Sequence, residues 1–464
     1  MERPCPLKIT AVECKVLLVP DPNPAATSSA QDEFLVLIST TDPRITGIGE
    51  SDANPWVLKA CVEAPSTHTM GLSLRDMLMG EDPLDVERLW SKMYVGSYMN
   101  GRRGAMIHAM GAIEMALMDI KGKAHSVPVW RLLGRPARPE GVIRPYASLQ
   151  PELPADKVSV SCYKESLVSW VETARKAGFS AAKAEVTLSG PYAHLGMNES
   201  DDKITEVVEA CRKAAGGNFT LMVDVQYTWG DAERALATLK QWEPLDIFFC
   251  ETPLPLDDLS GHARLHQESP VPIACGEMQC HASEFLELLD YGQIDVAQPD
   301  VGRVGGLLQA LKVCDYARDR GRLIVPHCWK TGVGIAASAH LAAVTPHCPY
   351  IEFLPAELCN SVLRKELTIN DELVLQADGS IPLPQRPGLG VELNWKALEA
   401  FDVKHFDLSK YETMAKHAAS YAATWAPRTV LAMSNAAGRE ACERPAPGGS
   451  TARKRPAAEL AEEP

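Results

Sequence analysis

Six polar residues recur at a near-constant spacing between positions 224 and 352 of this 464-residue chain. Asp224 closes "LMVD", Glu251 closes "IFFCE", Glu277 closes "IACGE", Asp300 closes "VAQPD", His327 closes "LIVPH", and Glu352 lies in "YIEF". The steps between them are 27, 26, 23, 27 and 25 residues, each the length of a strand, a helix and their loops. One acid at a strand end is ordinarily a helix cap or turn residue, and one histidine there is ordinarily a satisfied core residue. Six at the same end of one sheet ask for more. Crowded carboxylates repel and take up protons unless something cationic holds them. Asp224, Glu251 and Glu277 make a hard-oxygen set suited to Mg²⁺, with no His or Cys among them at a zinc-like place. Asp300 and His327 follow on the next two strands. An acid beside an imidazole fixes its tautomer and raises its basicity, the arrangement of a general base.

One strand earlier stands "FSAAKAEV", residues 179–186. Lys183 and Glu185 are two apart, so on a strand they share a face. Alone, the pair reads equally as a surface ion pair, a core pair or part of a site. Beside the acids, Lys183 would set a cation against a substrate carboxylate. A divalent metal, a His–Asp base and a lysine together fit abstraction of a proton α to a carboxylate. Candidate substrate-binding residues are Gln226, two after Asp224, with Trp56 and Tyr146; Tyr94, Arg144 and Trp329 are further candidates. Packing is the ordinary role for each.

The elements that must position these residues follow from the hydrophobic pattern. Residues 7 to about 50 alternate as an antiparallel meander, and 84 to about 134 repeat at helical spacing, with a five-turn helix closing at Lys121-Gly122-Lys123 before Pro128. From about 141 to 360, eight apolar runs alternate with helical patterns: "VIRPYASLQ", "FSAAKAEV", "FTLMVDV", "LDIFFCETP", "VPIACGEM", "IDVAQPD", "RLIVPHC" and "YIEFLP". Strict alternation predicts parallel βαβ units, and eight of them an α/β fold closed as a (β/α)8-type barrel, with its site at the C-terminal strand ends. An open doubly wound sheet is the runner-up, but no GxGxxG follows a strand. The expected organisation is an α+β N-terminal capping domain over 1–138, the barrel over 139–360, a segment over 361–425 that returns to the capping domain, and a disordered tail over 426–464, rich in Ala, Pro, Gly, Arg and Glu.

The net charge of −14 argues against nucleic acid as the main partner. Thirteen cysteines, without CxxC pairs, read as buried reduced thiols, Cys250, Cys275 and Cys328 among them. The N-terminus carries no long apolar segment, and no apolar run approaches membrane-spanning length. The expectation is a cytoplasmic protein with no membrane partner.

With these residues in place the chain resembles the mandelate racemase subgroup of the enolase superfamily over about residues 7–425. The resemblance rests on "GIGE" at 47–50, "GAIEMALMDIKGKAHSVPVWRLLG" at 111–134, "VDV", "CETP", "GEM", "QPDVGRVGG", "VPHC" and "RPGLGVELN". It implies an enolase-like modified barrel and Mg²⁺ on Asp224, Glu251 and Glu277. It implies a dyad of His327 and Asp300 acting on R-configured substrates, Glu352 as the acid that hydrogen-bonds the substrate carboxylate, and Lys183 as the first lysine of a Lys-x-Lys motif. It also implies specificity loops at about 20–33 and 51–66, and assembly as a homo-oligomer, dimer or octamer. One position departs: Glu185 stands where the racemase carries its second base. A glutamate in water titrates near ~4, and beside Lys183 and a metal it should fall further, which weighs against inversion. The first functional reading is therefore Mg²⁺-dependent dehydration of a sugar acid, an aldonate or aldarate, to a 2-keto-3-deoxy acid, with Glu185 free to bind polyol hydroxyls. The alternatives are a racemase or epimerase of an α-hydroxy or amino acid, and a barrel without catalysis.

Overall fold

The computed structural model describes residues 6–20, 31–153, 157–353, 358, 361–369, 372–406 and 409. The segment 21–30 of the expected first specificity loop and the 426–464 tail lie outside them. Alternating apolar residues make the start of the chain a sheet: β1 (Ile9–Leu18) pairs antiparallel with β2 (Asp32–Thr40), and β2 with β3 (Gly47–Glu50). Helices follow as α1 (Pro55–Glu63), α2 (Leu74–Leu78), α3 (Val86–Gly96), α4 (Ala105–His125) and α5 (Val129–Leu132). The expected second loop, 51–66, is thus mostly helix, because the Asn54 side chain accepts from Trp56 N and Val57 N and starts α1 at Pro55.

Helix α4 is apolar all round because it is buried on both sides. Its backbone touches the cap sheet so closely that a Cβ on Gly49 would stand 1.9 Å from Ala112 O. It runs past the expected stop to Ser126, whose φ of 56° ends it. Gly122 is there for close approach to Gly388 rather than as a terminator.

The short strand β4 (Val142–Ile143) leads into eight parallel strands: β5 (Pro145–Leu149), β6 (Ala181–Glu185), β7 (Thr220–Asp224), β8 (Ile247–Glu251), β9 (Ile273–Cys275), β10 (Val296–Ala297), β11 (Leu323–Ile324) and β12 (Ile351–Phe353). Their order is β11-β10-β9-β8-β7-β6-β5-β12. Between β11 and β12 the curl is joined by Ile324 N donating to His347 O (3.0 Å) and Cys328 N donating to Glu352 Oε2 (2.7 Å). Helices α6 (Val160–Lys176), α7 (Asp201–Ala215), α8 (Ala232–Leu239), α9 (Leu259–Glu268), α10 (Ala282–Asp290), α11 (Val301–Val304), α12 (Leu307–Asp319) and α13 (Gly332–Ala343) fill the crossovers. All eight expected strands are present, in the enolase-like arrangement. The last ones are short, so Glu277, Asp300 and His327 lie in the turns just beyond them.

The barrel interior has a floor. Tyr146, Ala181, Met222, Phe249, Ala274, Val296, Leu323 and Tyr350 pack together there, one from each strand or its entry. Side chains two residues further on point the same way, one layer up. That rule lifts Ser148, Lys183, Asp224, Glu251, Gln298 and Glu352 to the mouth.

Polar side chains tie the cap to the barrel. Glu50, at the end of "GIGE", accepts from Thr331 N (3.0 Å), from Gly334 N (2.7 Å) and from the Thr331 hydroxyl at the start of α13. Glu114 of α4 accepts from Leu307 N (2.8 Å) and Leu308 N (3.0 Å), the first turn of α12. Trp90 Nε1 donates to Gly305 O (2.8 Å). After the barrel, Ile381–Pro382 pairs with β4, Leu389 N donates to Asp119 Oδ1 (2.9 Å) of α4, and Asp402 bridges to Leu17 of β1. Among the described residues no helix is long and apolar enough to cross a membrane.

Glu50→Ala should expose the importance of these ties. It leaves two N–H groups and a hydroxyl buried without their acceptor, at about 1–3 kcal/mol for each group left unsatisfied. A fall in the thermal unfolding midpoint of several degrees is expected in calorimetry. An unchanged midpoint would contradict this account of how the cap is fastened.

Candidate active site

The layer above the floor is built around one ammonium. Lys183 Nζ lies 2.7 Å from Glu251 Oε1 and 3.1 Å from Glu352 Oε1, with Tyr146 beneath it at 5.5 Å from the ring centre. Burial alone would lower the Lys183 pKa; Glu251 and Glu352 outweigh it and hold the group well above its ordinary range. Burial also acts on Glu352, but Lys183 and His327 outweigh it and keep that carboxyl low. Glu352 is thus an anion fixed by an ammonium and by Cys328 N.

Three acids come from consecutive strands. Glu185, Asp224 and Glu251 stand side by side in register, and Glu277 follows β9. Asp224 and Glu251 are pushed up, first by burial and then, against the pull of Lys183, by the neighbouring acids. That is the electrostatic signature of negative charge gathered beyond what one lysine neutralises. All-oxygen donors at such a place fit a hard divalent cation. As the side chains stand, no three His, Cys, Asp or Glu residues among those described converge on one point. Lys183 engages Glu251, and His327 Nε2 stands 3.3 Å from Glu277 Oε2.

The dyad is formed. His327 Nδ1 and Asp300 Oδ2 are 2.8 Å apart. Asp300 is at once a helix cap, accepting from Arg303 N (3.0 Å) at the start of α11, so the ordinary and the chemical readings of this acid both hold. Burial would lower the His327 pKa, but Glu352, the Asp300 hydrogen bond and Glu277 together raise it to about 9. A small pocket beside the dyad is lined by Glu50, Asp52, Asp300, His327, Trp329 and Lys330, among others, where cap and barrel meet.

Glu185 differs from the expectation in one respect. It shares a face with Lys183 but does not pair with it. Gln150 Nε2 donates to its Oε2, Thr187 Oγ1 to its Oε1 (3.4 Å), and Tyr163 Oη to its backbone oxygen (2.9 Å). Burial pushes its carboxyl up to about 7, against Gln150 and Lys183. In the protein without metal, Lys183 is committed to Glu251 and Glu352, and desolvation of the fully buried carboxylate outweighs its pull; the fall expected beside Lys183 and a metal together concerns the loaded site.

The three substrate-binding candidates fare differently. Tyr146 belongs to the floor, fully buried below Lys183. Trp56 lies on α1 and is 39% exposed. Gln226 lies two after Asp224, but β7 ends at Asp224 and the backbone turns to φ 40° at Gln226 and 61° at Tyr227. Alternation stops there, and it is Tyr227 that turns in, donating from Oη to Glu277 Oε1 (2.7 Å). Tyr94 stacks on Trp90 and His281 at the cap joint. Trp329 lies under the Arg364 guanidinium at 4.3 Å, and Arg144 is half-buried before β5. Cys250, Cys275 and Cys328 are buried, and burial pushes all three thiols far up, away from reactivity.

Sequence reasoning did not single out Arg303, Lys330 or Gln298, and it reached Asp52 only as part of the expected 51–66 loop. Asp52 of the cap binds the Arg303 guanidinium and lies 3.3 Å from Lys330 Nζ, which also contacts Asp32 Oδ1 at 2.7 Å. Arg303 further donates to Glu277 O (3.1 Å). Gln298 donates from Nε2 to Glu251 Oε2. Gln298 was findable: it is two residues past a floor position. Arg303 lies one helical turn from Asp300. Lys330 gave no such signal, and its partnership with Asp52 could not be read, since cap and barrel meet only in three dimensions.

Comparison with known proteins agrees with this geometry. Residues 166–397 match the enolase C-terminal domain-like family, and residues 8–134 match the mandelate racemase / muconate lactonizing enzyme N-terminal domain. The chain is 29% identical over 334 residues to the L-talarate/galactarate dehydratase of Salmonella typhimurium, covering 70% of this chain and 73% of that one. It is 30% identical over 335 residues to the D-galactarolactone cycloisomerase of Agrobacterium fabrum, covering 70% and 82%. Among solved structures, the 3,6-anhydro-D-galactonate cycloisomerase from Zobellia galactanivorans superposes with a TM-score of 0.71 at 28% identity, over 85% of this chain and 99% of that one. A racemase from Streptomyces coelicolor with bound magnesium superposes at 0.70 and 26% identity, over 85% and 100%. Cap, barrel and dyad-bearing turns together with these matches lead to one conclusion: the chain belongs to the mandelate racemase / muconate lactonizing enzyme family of the enolase superfamily.

Proposed function

We propose that the protein is a Mg²⁺-dependent hydro-lyase that removes the proton α to the carboxylate of a sugar acid and expels the β-hydroxyl, giving a 2-keto-3-deoxy acid. The observation that carries this reading is the formed His327–Asp300 dyad facing a ring of buried carboxylates. Relatives named as dehydratases of galactarate, xylonate, arabinonate and galactonate support the substrate class. Asp224, Glu251 and Glu277 would hold the metal, whose positive charge stabilises the negative charge that develops on the substrate carboxylate.

The protein's own residues supply the rest. Asp300 accepts from Nδ1–H of the neutral imidazole, which leaves the Nε2 lone pair of His327 to take the α-proton. Lys183 is held protonated by its two acids and serves as a fixed cation against the carboxylate side of the enediolate. Glu352 faces the same place and, as an anion fixed by Cys328 N, holds that ammonium in position. The β-hydroxyl must leave as water. His327 can return the proton if the loss is syn; Glu185, on β6, can supply one from the other side, since burial keeps its carboxyl partly protonated near neutrality. The same property favours the second reading, an epimerase in which Glu185 delivers a proton to the opposite face.

A semicarbazide screen of an acid-sugar library with Mg²⁺ should find a substrate that yields a keto acid. His327→Asn should then lower kcat by about 10²–10⁴-fold or more while circular dichroism and Mg²⁺ binding stay as in the parent; turnover that survives the change contradicts the base assignment. In the metal-free protein, His327 should titrate by NMR with a midpoint near 9, above the ordinary 6.5. Because the folded pKa is raised, this group's contribution to stability is complete below pH 6.5 and disappears as pH rises through 9. A midpoint at or below 6.5 would contradict the role given to Asp300 and Glu352.

A further inference from the structure

Three neutral side chains each grip one oxygen of one of the three acids. Thr252 Oγ1 donates to Asp224 Oδ1 at 2.9 Å, Tyr227 Oη to Glu277 Oε1 at 2.7 Å, and Gln298 Nε2 to Glu251 Oε2. Thr252 follows β8 and reaches back to the neighbouring β7, whereas Tyr227 follows β7 and reaches past β8 to the turn after β9. Gln298 stands one residue past β10 and reaches across to β8.

Two of these donors are held in costly backbone. Thr252 has φ 45° and Tyr227 φ 61°. A β-branched residue in the left-handed region is an outlier that costs of order 1–3 kcal/mol and persists only when its surroundings fix it. Here they do. Thr252 N donates to Ala274 O (2.9 Å), and Tyr227 N donates to Thr252 O (2.6 Å). The strained turn is what aims the Thr252 hydroxyl at β7 instead of along its own strand. Gln298 is fully buried, and its Oε1 has no hydrogen-bond partner among the described residues. Its amide is therefore oriented by the bond to Glu251 alone, a cost that a purely packing residue would avoid.

The chemical type is consistent across all three. A lysine or arginine here would neutralise its acid and compete with a cation. A hydroxyl or an amide orients a carboxylate and leaves its charge in place. With Thr252 and Gln226 N on Oδ1, the other oxygen of Asp224 is left for a ligand. With Tyr227 on Oε1, the other oxygen of Glu277 faces His327.

We infer that Thr252, Tyr227 and Gln298 are positioning residues that pre-orient Asp224, Glu277 and Glu251 for a divalent cation, and that the strained backbone at 227 and 252 exists to aim two of them. The inference rests on the reading that these acids hold Mg²⁺. Partners of ligating groups of this kind commonly carry about 10–100-fold of metal affinity.

The test is calorimetric titration of MgCl₂ into the chelator-treated full-length protein and its variants. Thr252→Val and Tyr227→Phe keep the shape and delete the hydroxyl; each should weaken Mg²⁺ by about 10–100-fold with the unfolding midpoint little changed. Thr252→Ser should bind as the parent does, because it keeps the hydroxyl. Thr252→Gly should relieve the strain, raising or holding the midpoint, yet still lose affinity, a split that a merely structural role would not give. If the parent binds Mg²⁺ and Thr252→Val and Tyr227→Phe bind it equally well, the positioning role is wrong and the metal reading stands. If the parent itself does not bind Mg²⁺, both fall.

Discussion

The site depends on a charge constraint. Glu185, Asp224, Glu251, Glu277, Asp300 and Glu352 are all less than one-tenth exposed at one end of the barrel, and one lysine stands among them. Water cannot screen them, so each carboxylate must be held by a cation, a proton or a donor. Lys183 answers for Glu251 and Glu352, His327 for Asp300 and in part for Glu277. Neutral donors hold Asp224 and Glu185. What remains is more negative charge on Asp224, Glu251 and Glu277 together than these groups balance, which is where the proposed Mg²⁺ would sit.

The cap is bound by the same logic. Arg303 and Lys330 are barrel cations buried next to the dyad, and the carboxylate that answers both is Asp52 of the cap. Asp52 sits two residues past Glu50, whose own carboxylate closes the start of α13. Docking of the cap therefore completes the electrostatics of the barrel mouth as well as covering it. The end of β3 and the two residues after it act as a single key: Glu50 fits the helix start at 331–334 and Asp52 the two cations flanking His327.

Much of this was legible in the sequence, for a definite reason. Strand periodicity carries direction, so runs such as "LMVD" and "IFFCE" announce both a strand and which residue reaches its mouth. The floor explains why the reading worked: Met222 and Phe249 fix the inward face, and Asp224 and Glu251 follow two residues later. Legibility failed where periodicity failed. Beyond Asp224 the backbone turns to positive φ, so Tyr227 rather than Gln226 enters the acid network. Sequence adjacency of Glu185 to Lys183 also says nothing about where that ammonium is spent: it pairs with Glu251 and Glu352. Asp52 and Lys330 belong to different domains, and nothing local to either marks the encounter.

The central claim is that His327 removes an α-proton and that elimination, not inversion, follows. Turnover of an active acid sugar in D₂O with Mg²⁺, followed by NMR, tests it most directly. Loss of the α-proton and the β-hydroxyl gives an enol that ketonises from solvent. The account predicts a 2-keto-3-deoxy acid carrying one deuterium at C3, and unreacted substrate of unchanged configuration. Recovered substrate with inverted configuration and deuterium at the α-carbon, and no keto acid, would contradict it.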